Sequence, residues 1–212
     1  MATKVFVFGA SGHAKVVIDI LERMKDIEIA FAIDDAAGAA GGSICGYRII
    51  GGRAELPLNR AQAAAGIVAI GDNAARRDVA AWLHEQGVKL ASAIHPAATL
   101  ARGAVIGSGS AIMAGCVVNS DSILGNNAIL NTGATIDHDC VIGDCVHIAP
   151  GCHVCGGVKI GAGSLLGAGT IVIPGVSIGA NVVVGAGSTV LHDVADGARI
   201  AGSPARPFEG TR

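Results

Sequence analysis

Leu100, Ile106, Ile112, Val118, Leu124 and Leu130 stand six residues apart. The spacing runs on through Ile136, Ile142, Ile148, Val154, Ile160, Leu166, Val172, Ile178, Val184 and Val190 without a slip. Two residues before each lies a small or short side chain, such as Ala104, Ser110, Cys116, Ala134 or Ser188. Positions two apart on a strand point the same way. Each hexad therefore supplies one short strand with two inward residues, followed by a turn. A short fixed period of this kind means stacked repeats. Three hexads close one triangular coil, so coils stack at intervals of eighteen residues, about 4.8 Å apart. The run predicts a solenoid of roughly five coils. Glycine follows the aliphatic position at Gly107, Gly125, Gly143, Gly161, Gly167, Gly179 and Gly185. We read these as turn positions that need a positive φ.

Before residue 93 the pattern is different, and β-rich runs alternate with runs of helical period. KVFVF (4–8) reads as a strand. AKVVIDILERM (14–24) reads as a helix with Val16, Val17, Ile20, Leu21 and Met24 on one face. EIAFAI (28–33) and IVAI (67–70) read as further strands; GDN (71–73) follows the second, then a helix with Val79, Trp82 and Leu83 on one side. The glycine-rich stretch 38–52 is expected to be a loop. Strand–helix–strand alternation implies a parallel sheet. The expected organisation is an α/β Rossmann-like domain at 1–92, a parallel β-helix at 93–197 and a C-terminal tail at 198–212.

Composition sharpens this picture. Apolar residues make up 51% of the 212, yet aromatics are only 3% and glycines number 32. Such an interior is built from small and aliphatic side chains and is too narrow for rings. A formal net charge of −2 gives no indication of a nucleic-acid partner. No apolar run is long enough to span a bilayer, and no signal peptide is evident. Six cysteines in that context read as reduced thiols, which makes the cytoplasm the expected location.

Candidate chemistry concentrates in IDHDCVIGDCVHIAPGCHVCGG (136–157), which holds three histidines, four cysteines and three aspartates. Cys140 and Cys152, like Cys116, fall at the small inward position and read as buried hydrophobes. Cys145 and Cys155 lie towards turns. Cys152 and Cys155 have the CxxC spacing of zinc or redox sites, but one inward and one turn position on a rigid coil do not aim at one ion, so no metal is expected. His138 lies two residues past Ile136, between Asp137 and Asp139. A surface imidazole beside a carboxylate suits general-base work, because the carboxylate fixes the tautomer and supports the imidazolium; a solvated histidine is the plainer alternative. His147 is nine residues on, half a coil around. The two could share a site only across a cleft between neighbouring chains. His153 reads as an ordinary turn residue. In the first domain, GASGH (9–13) lacks the full GxGxxG pattern because Ser11 replaces the middle glycine. What remains is a strand, a tight turn and a helix N-terminus whose free N–H groups suit a diphosphate. Asp34 and Asp35, at a strand end, could meet a ribose or base or be solvated acids.

GASGHAKVV, FAIDD, AIGDN, SAIHPAA, NTGATIDHDCVIGDCVHIAPG and AGSPARP occur in this order. Together they resemble the bacterial nucleotide-aminosugar N-acetyltransferases and the related sialic acid O-acetyltransferases, along nearly the whole chain. The resemblance implies a Rossmann-like domain joined to a left-handed β-helix; the general crossover rule alone would favour the right-handed form. It implies acetyl-CoA as co-substrate, no metal, and a homotrimer with active sites between subunits. The acceptor it implies is a nucleotide-linked 4-amino-4,6-dideoxy sugar, carried by UDP or by GDP as in GDP-perosamine, on a route to surface glycans. By resemblance, His138 is the catalytic base and Asp139, where relatives often have Glu, orients it. His147 contacts acetyl-CoA near its thioester, and the backbone at Gly167–Ala168 and Gly185–Ala186 lies along the pantetheine arm. Ser11, Gly12, His13, Asp34 and Asp35 contact the nucleotide sugar, with Gly71 and Asn73 as weaker candidates. Arg102, Lys159, Arg199 and Arg206 are the cations available to the CoA phosphates. Three other readings stay open: an O-acetyltransferase acting on sialic acid or a related sugar, a zinc-dependent lyase of carbonic-anhydrase type on the same solenoid, and a non-catalytic sugar-nucleotide scaffold.

Overall fold

β1 (Thr3–Phe8), β2 (Ile27–Ile33), β5 (Ala65–Val68) and β6 (Lys89–Leu90) form a parallel sheet in the order β2-β1-β5-β6 in the computed structural model, which describes residues 2–36 and 40–208. The last four residues of β1 are buried, as a central parallel strand flanked by helices requires. Helix α1 (Gly12–Arg23) connects β1 to β2, and helix α3 (Asn73–Glu85) connects β5 to β6. The buried face of α1 is Ala14, Val17, Ile18, Ile20 and Leu21, so Ile18 takes the place expected of Val16, which is 40% exposed. The expected strand at 67–70 lies earlier, at Ala65–Val68. Leaving the sheet there frees residues 69–72 to act as a loop. Phe6 and Phe31 stack with centroids 5.6 Å apart inside this core. Phe6 also covers the bare backbone of Gly66, where a Cβ would strike its ring.

The stretch 38–52 is not a plain loop. Ser43–Ile44 (β3) and Tyr47–Arg48 (β4) pair as an antiparallel hairpin. Its two-residue turn, Cys45–Gly46, has φ of 48° and 85°, the two positive angles that a tight hairpin of this twist needs. Residues 38 and 39 of the expected loop lie outside the described residues. A short helix α2 (Leu56–Asn59) follows, with Leu56 in the core.

Two compact units divide at Pro96 and Ala97. The second is a parallel β-solenoid whose two-residue strands pair at eighteen-residue steps: Val117 with Thr135, Thr135 with His153, His153 with Ile171. Three sheets make three faces. One runs through Ala111, one begins at Thr99 and one at Val105. From Ser110 to Val190 both positions of the hexad are buried, as the periodicity predicts. Among the aromatic residues of the chain, only Phe208 belongs to this unit. The expected tail at 198–212 is partly solenoid: Arg199–Ala201 pairs in parallel with Val183–Val184, and Arg206–Pro207 folds back on it. Residues 209–212 lie outside the described residues.

The glycines after the aliphatic positions have a different reason from the expected one. Gly143, Gly161 and Gly167 lack the positive φ, which occurs two residues later at Gly163 and Gly169. A Cβ on Gly143 would stand 2.7 Å from the backbone nitrogen of Ala162 in the next coil. These glycines let coils approach; the later ones turn the chain.

Candidate active site

The turn Asp137–Cys140 joins the strands Thr135–Ile136 and Val141–Ile142 at one corner of the solenoid. It is held from both neighbouring coils. Asp139 N–H donates to Ser120 O at 3.1 Å, and Gly157 N–H donates to His138 O at 2.9 Å. The second turn position requires a left-handed backbone and is usually glycine, as at Gly133 and Gly157. Here it is Asp139, with φ 58°. Aspartate tolerates this conformation better than most residues, and its carboxylate is thereby set beside the neighbouring imidazole. His138 Nδ1 lies 2.8 Å from Asp139 Oδ2. A carboxylate accepts, so the ring proton is on Nδ1 and Nε2 carries the free lone pair. Both side chains are more than half exposed. The hydrogen bond to Asp139, followed by the field of Asp137, raises the His138 pKa above its ordinary value.

Asp137 and Asn119, which the sequence reading did not place in the site, steady this turn. Asp137 Oδ1 accepts from His138 N–H at 2.9 Å and from Asn119 Nδ2 at 3.0 Å. These bonds, the first of them foremost, hold the Asp137 pKa below the usual carboxylate range. Inside, the Ser122 hydroxyl donates to Asp137 O at 2.6 Å and accepts from Cys140 N–H at 2.9 Å.

His147 does not join His138 within one chain. It lies on the strand His147–Ile148 of the face that runs through Ala111, whereas His138 sits at the corner between the other two faces. Asn131 Nδ2 is 3.2 Å from His147 Nε2. An amide nitrogen only donates, so Nε2 accepts and Nδ1 is protonated. Gly167–Ala168 and Gly185–Ala186 stack one coil apart at another corner, and Gly187 N–H donates to Ala168 O at 2.8 Å. Contact between coils already accounts for glycine at 167, where a Cβ would lie 2.5 Å from Ala186 N. Beyond them, a cavity of about 300 Å³ is lined by Leu191, His192, Asp193, Arg206 and Pro207 among others. Arg199 lies over the Phe208 ring at 5.5 Å.

Four of the six cysteines are buried; Cys155 is partly buried and Cys45 is exposed. Cys116, Cys140 and Cys152 are buried, and their thiols donate to backbone carbonyls fifteen residues on, at 3.1 Å in each case. Burial pushes all three pKa values up, away from reactivity. Among the described residues of one chain, no three His, Cys, Asp or Glu side chains cluster to hold a metal ion. His153 is exposed on a strand rather than in a turn, and its Nδ1 lies 2.9 Å from Thr135 Oγ1.

In the first unit, the residues expected to meet the nucleotide gather where the parallel strands end. Ser11, Gly12 and His13 follow β1, Asp34 and Asp35 follow β2, and Gly71 and Asn73 follow β5. In open parallel sheets this is the end at which ligands bind. Gly9 makes the crossing possible: its φ is +116°, and a Cβ would stand 2.8 Å from Ala69 O. Ser11 is the N-cap of α1, but its hydroxyl makes no capping bond. Gly12 has open space around its Cα. Asp34 is already engaged, accepting from Ala10 N–H at 2.6 Å and Ala36 N–H at 2.8 Å. Asp35 holds Arg53 through Nε at 2.8 Å, and the Arg53 guanidinium lies over Phe8 and Trp82, 5.8 and 5.3 Å from their centroids. Arg76, almost fully buried, donates to Ile70 O, Gly71 O and Asn73 Oδ1 and so shapes the loop after β5. Burial, with a smaller effect from Arg76, lowers the His13 pKa to about 4. Nothing in the sequence marked Arg53; Arg76 could have been found, since it shares the helical face of Val79 and Leu83.

Two family models match the chain: the PglD N-terminal domain at residues 4–83, and the bacterial transferase hexapeptide (six repeats) at 103–138, 139–174 and 157–192. No curated protein sequence matches. Among solved structures, perosamine N-acetyltransferase from Caulobacter crescentus is 38% identical over 99% of both chains, with a TM-score of 0.93. The chain belongs to this family of bacterial aminosugar N-acetyltransferases. That family member was crystallised as a mutant with histidine replaced by asparagine, in complex with CoA and GDP-perosamine. The acetyltransferase domain of PglB from Neisseria gonorrhoeae, in complex with acetyl coenzyme A, is 35% identical over 98% of this chain and 100% of that one, with a TM-score of 0.88. WeeI from Acinetobacter baumannii is 26% identical over 97% of this chain and 100% of that one, with a TM-score of 0.84.

Proposed function

We propose that this protein transfers the acetyl group of acetyl-CoA to the 4-amino group of a nucleotide-linked 4,6-dideoxy amino sugar. The observation that carries the reading is the His138–Asp139 pair, with Nδ1 committed to the carboxylate and Nε2 left to act. The neutral amine attacks the thioester carbonyl, and His138 Nε2 takes the proton that the amine loses. Asp139 and Asp137 stabilise the imidazolium that forms. The thiolate of CoA then leaves and is reprotonated. No cysteine is needed, because the transfer is direct; Cys116, Cys140 and Cys152 are buried, and burial pushes their pKa values up, away from the nucleophilic thiolate. The loops after β1, β2 and β5 hold the nucleotide, with the open N-terminus of α1 at Ser11–Gly12 facing the diphosphate.

The assembly that suits this chemistry is a homotrimer with sites between subunits. One strip of the solenoid supports it: Val105, Ile123 and Val141 stack on one face, 53%, 46% and 46% exposed. An aliphatic strip of this kind is an expected contact surface, and it begins beside the His138 corner. No helix among the described residues is long and apolar enough to cross a membrane. A cytoplasmic enzyme supplied with acetyl-CoA fits that observation.

The test is CoA release with GDP- and UDP-linked 4-amino-4,6-dideoxy sugars offered beside free sialic acid. Turnover on a nucleotide sugar supports the proposal and names the nucleotide, whereas turnover on sialic acid alone rejects it. His138→Ala should lower kcat by roughly 10²–10⁴, the usual size of a lost general base; near-wild-type turnover would remove His138 from the mechanism.

A further inference from the structure

Eighteen residues separate His138 from Gly156, so the two occupy the same corner in successive coils. Sixteen turns, from Arg102 to His192, have an equivalent first position. It is occupied by residues such as Thr132, Asp144, Pro150 and Ala168; Gly156 is the one glycine. The backbone does not ask for it: Gly156 is outside the left-handed range, and the turn is made by Gly157 at φ +69°. Nor are backbone atoms of a neighbouring coil the nearest obstacle to a side chain here. A Cβ at 156 would instead fall on the imidazole of His138, 2.6 Å from Cε1, 2.7 Å from Nε2 and 3.2 Å from Cδ2.

We infer that Gly156 is a positioning residue for the base, a side-chain-free seat that lets the His138 ring reach Asp139 while Nε2 stays uncovered. This rests on the reading of His138 as the base. The ring is fixed at one edge by its own coil, through Nδ1 and Asp139. Its opposite edge lies against the coil above. A single methyl group at 156 must either cap Nε2 or turn the ring and break the bond to Asp139. A displacement of about 1 Å in a reacting group is enough to cost large factors in rate.

Gly156→Ala should therefore lower kcat by about tenfold or more, with KM for acetyl-CoA and the unfolding midpoint close to wild type. The His138 imidazole, followed by NMR titration in the free protein, should show an altered Nε2 environment or a pKa moved back towards that of free histidine. Gly175→Ala is the control for damage to the coil alone. Gly175 has φ +76° and open space around it, so alanine there should lower the midpoint and leave kcat and the titration unchanged. Wild-type kcat and titration in Gly156→Ala overturn the seat, as does a loss of rate that only follows a loss of stability. His138→Ala run in parallel separates the two ideas: if it keeps turnover the base assignment fails, and if it is inactive while Gly156→Ala is normal only the seat fails.

Discussion

Removing one hydroxyl inside the solenoid should cost stability and rate together. Ser122 is fully buried and bridges two coils, donating to Asp137 O at 2.6 Å and accepting from Cys140 N–H at 2.9 Å. Ser122→Ala leaves a carbonyl and an N–H facing a cavity too small to restore both bonds. Each unsatisfied buried group costs about 1–3 kcal/mol, so the pair should cost about 2–4 kcal/mol after relaxation. For a chain of this size 1 kcal/mol moves the midpoint by roughly 2–4 °C, which puts the expected loss on the order of 10 °C. Ser164 makes the same two bonds elsewhere, to Gly179 O at 2.7 Å and from Val182 N–H at 2.9 Å. Ser164→Ala should thus match the thermal loss. Only Ser122→Ala should also lower kcat, because Asp137 precedes His138 in the turn. Thermal unfolding and steady-state kinetics on both variants decide this. A shift under about 2 °C in both would refute the energetic reasoning, and an equal loss of kcat would refute the link to the site.

Asp139→Asn should lower the His138 pKa, since the carboxylate bond is the largest cause of its rise; the neutral base then persists to lower pH, and the acid limb of the kcat/KM profile moves down. Asp139→Gly should lose rate but not thermal stability, because φ 58° suits glycine. His13 titrates at about 4 when folded and at 6.5 when free. Its folded pKa is depressed, so the unfolded chain binds more protons between these values and stability falls as pH falls from 6.5 to 4, by up to about 3 kcal/mol. His13→Gln should remove that slope in pH-dependent unfolding. Gly9→Ala, facing Ala69 O at 2.8 Å with φ +116°, should lower the midpoint and raise KM for the nucleotide sugar more than for acetyl-CoA. Ile123→Asp should convert the proposed trimer to monomer in sedimentation and abolish turnover; a monomeric variant with full activity would argue against sites between subunits.

The solenoid was legible because its constraint is strictly periodic. An inward aliphatic every six residues survives any local exception, and even Ser122, Cys140 and Cys152 could be placed as buried from phase alone. The hairpin at Ser43–Arg48 was not, because its strands are two residues long and its turn is Cys–Gly. The glycine reading failed for a related reason. Periodicity shows that a glycine recurs, but not whether it is there for its φ or for the coil above it. That distinction separates Gly157 from Gly143, and only the stacked backbones reveal it. In the first unit, Asp34 and Asp35 were visible as acids at a strand end, while their commitments to Ala10, Ala36 and Arg53 depend on loops brought together by the fold.

His138 and Asp139 stood out as an adjacent pair, yet what makes the pair a base is set by neighbours eighteen and nineteen residues away. Ser120 O fixes the left-handed turn that aims Asp139, Asn119 braces Asp137, and Gly156 leaves room for the ring. Every one of these partners is one coil above or below the turn. In a solenoid the surroundings of any turn can be read by adding or subtracting the coil length, once that length is known. The catalytic corner is thus a column of three stacked turns rather than a motif. The same arithmetic applied to other members of the family should find a small residue one coil above the base wherever the base sits in the same turn. A bulky residue there, in an enzyme of normal turnover, would mean that its ring is held some other way.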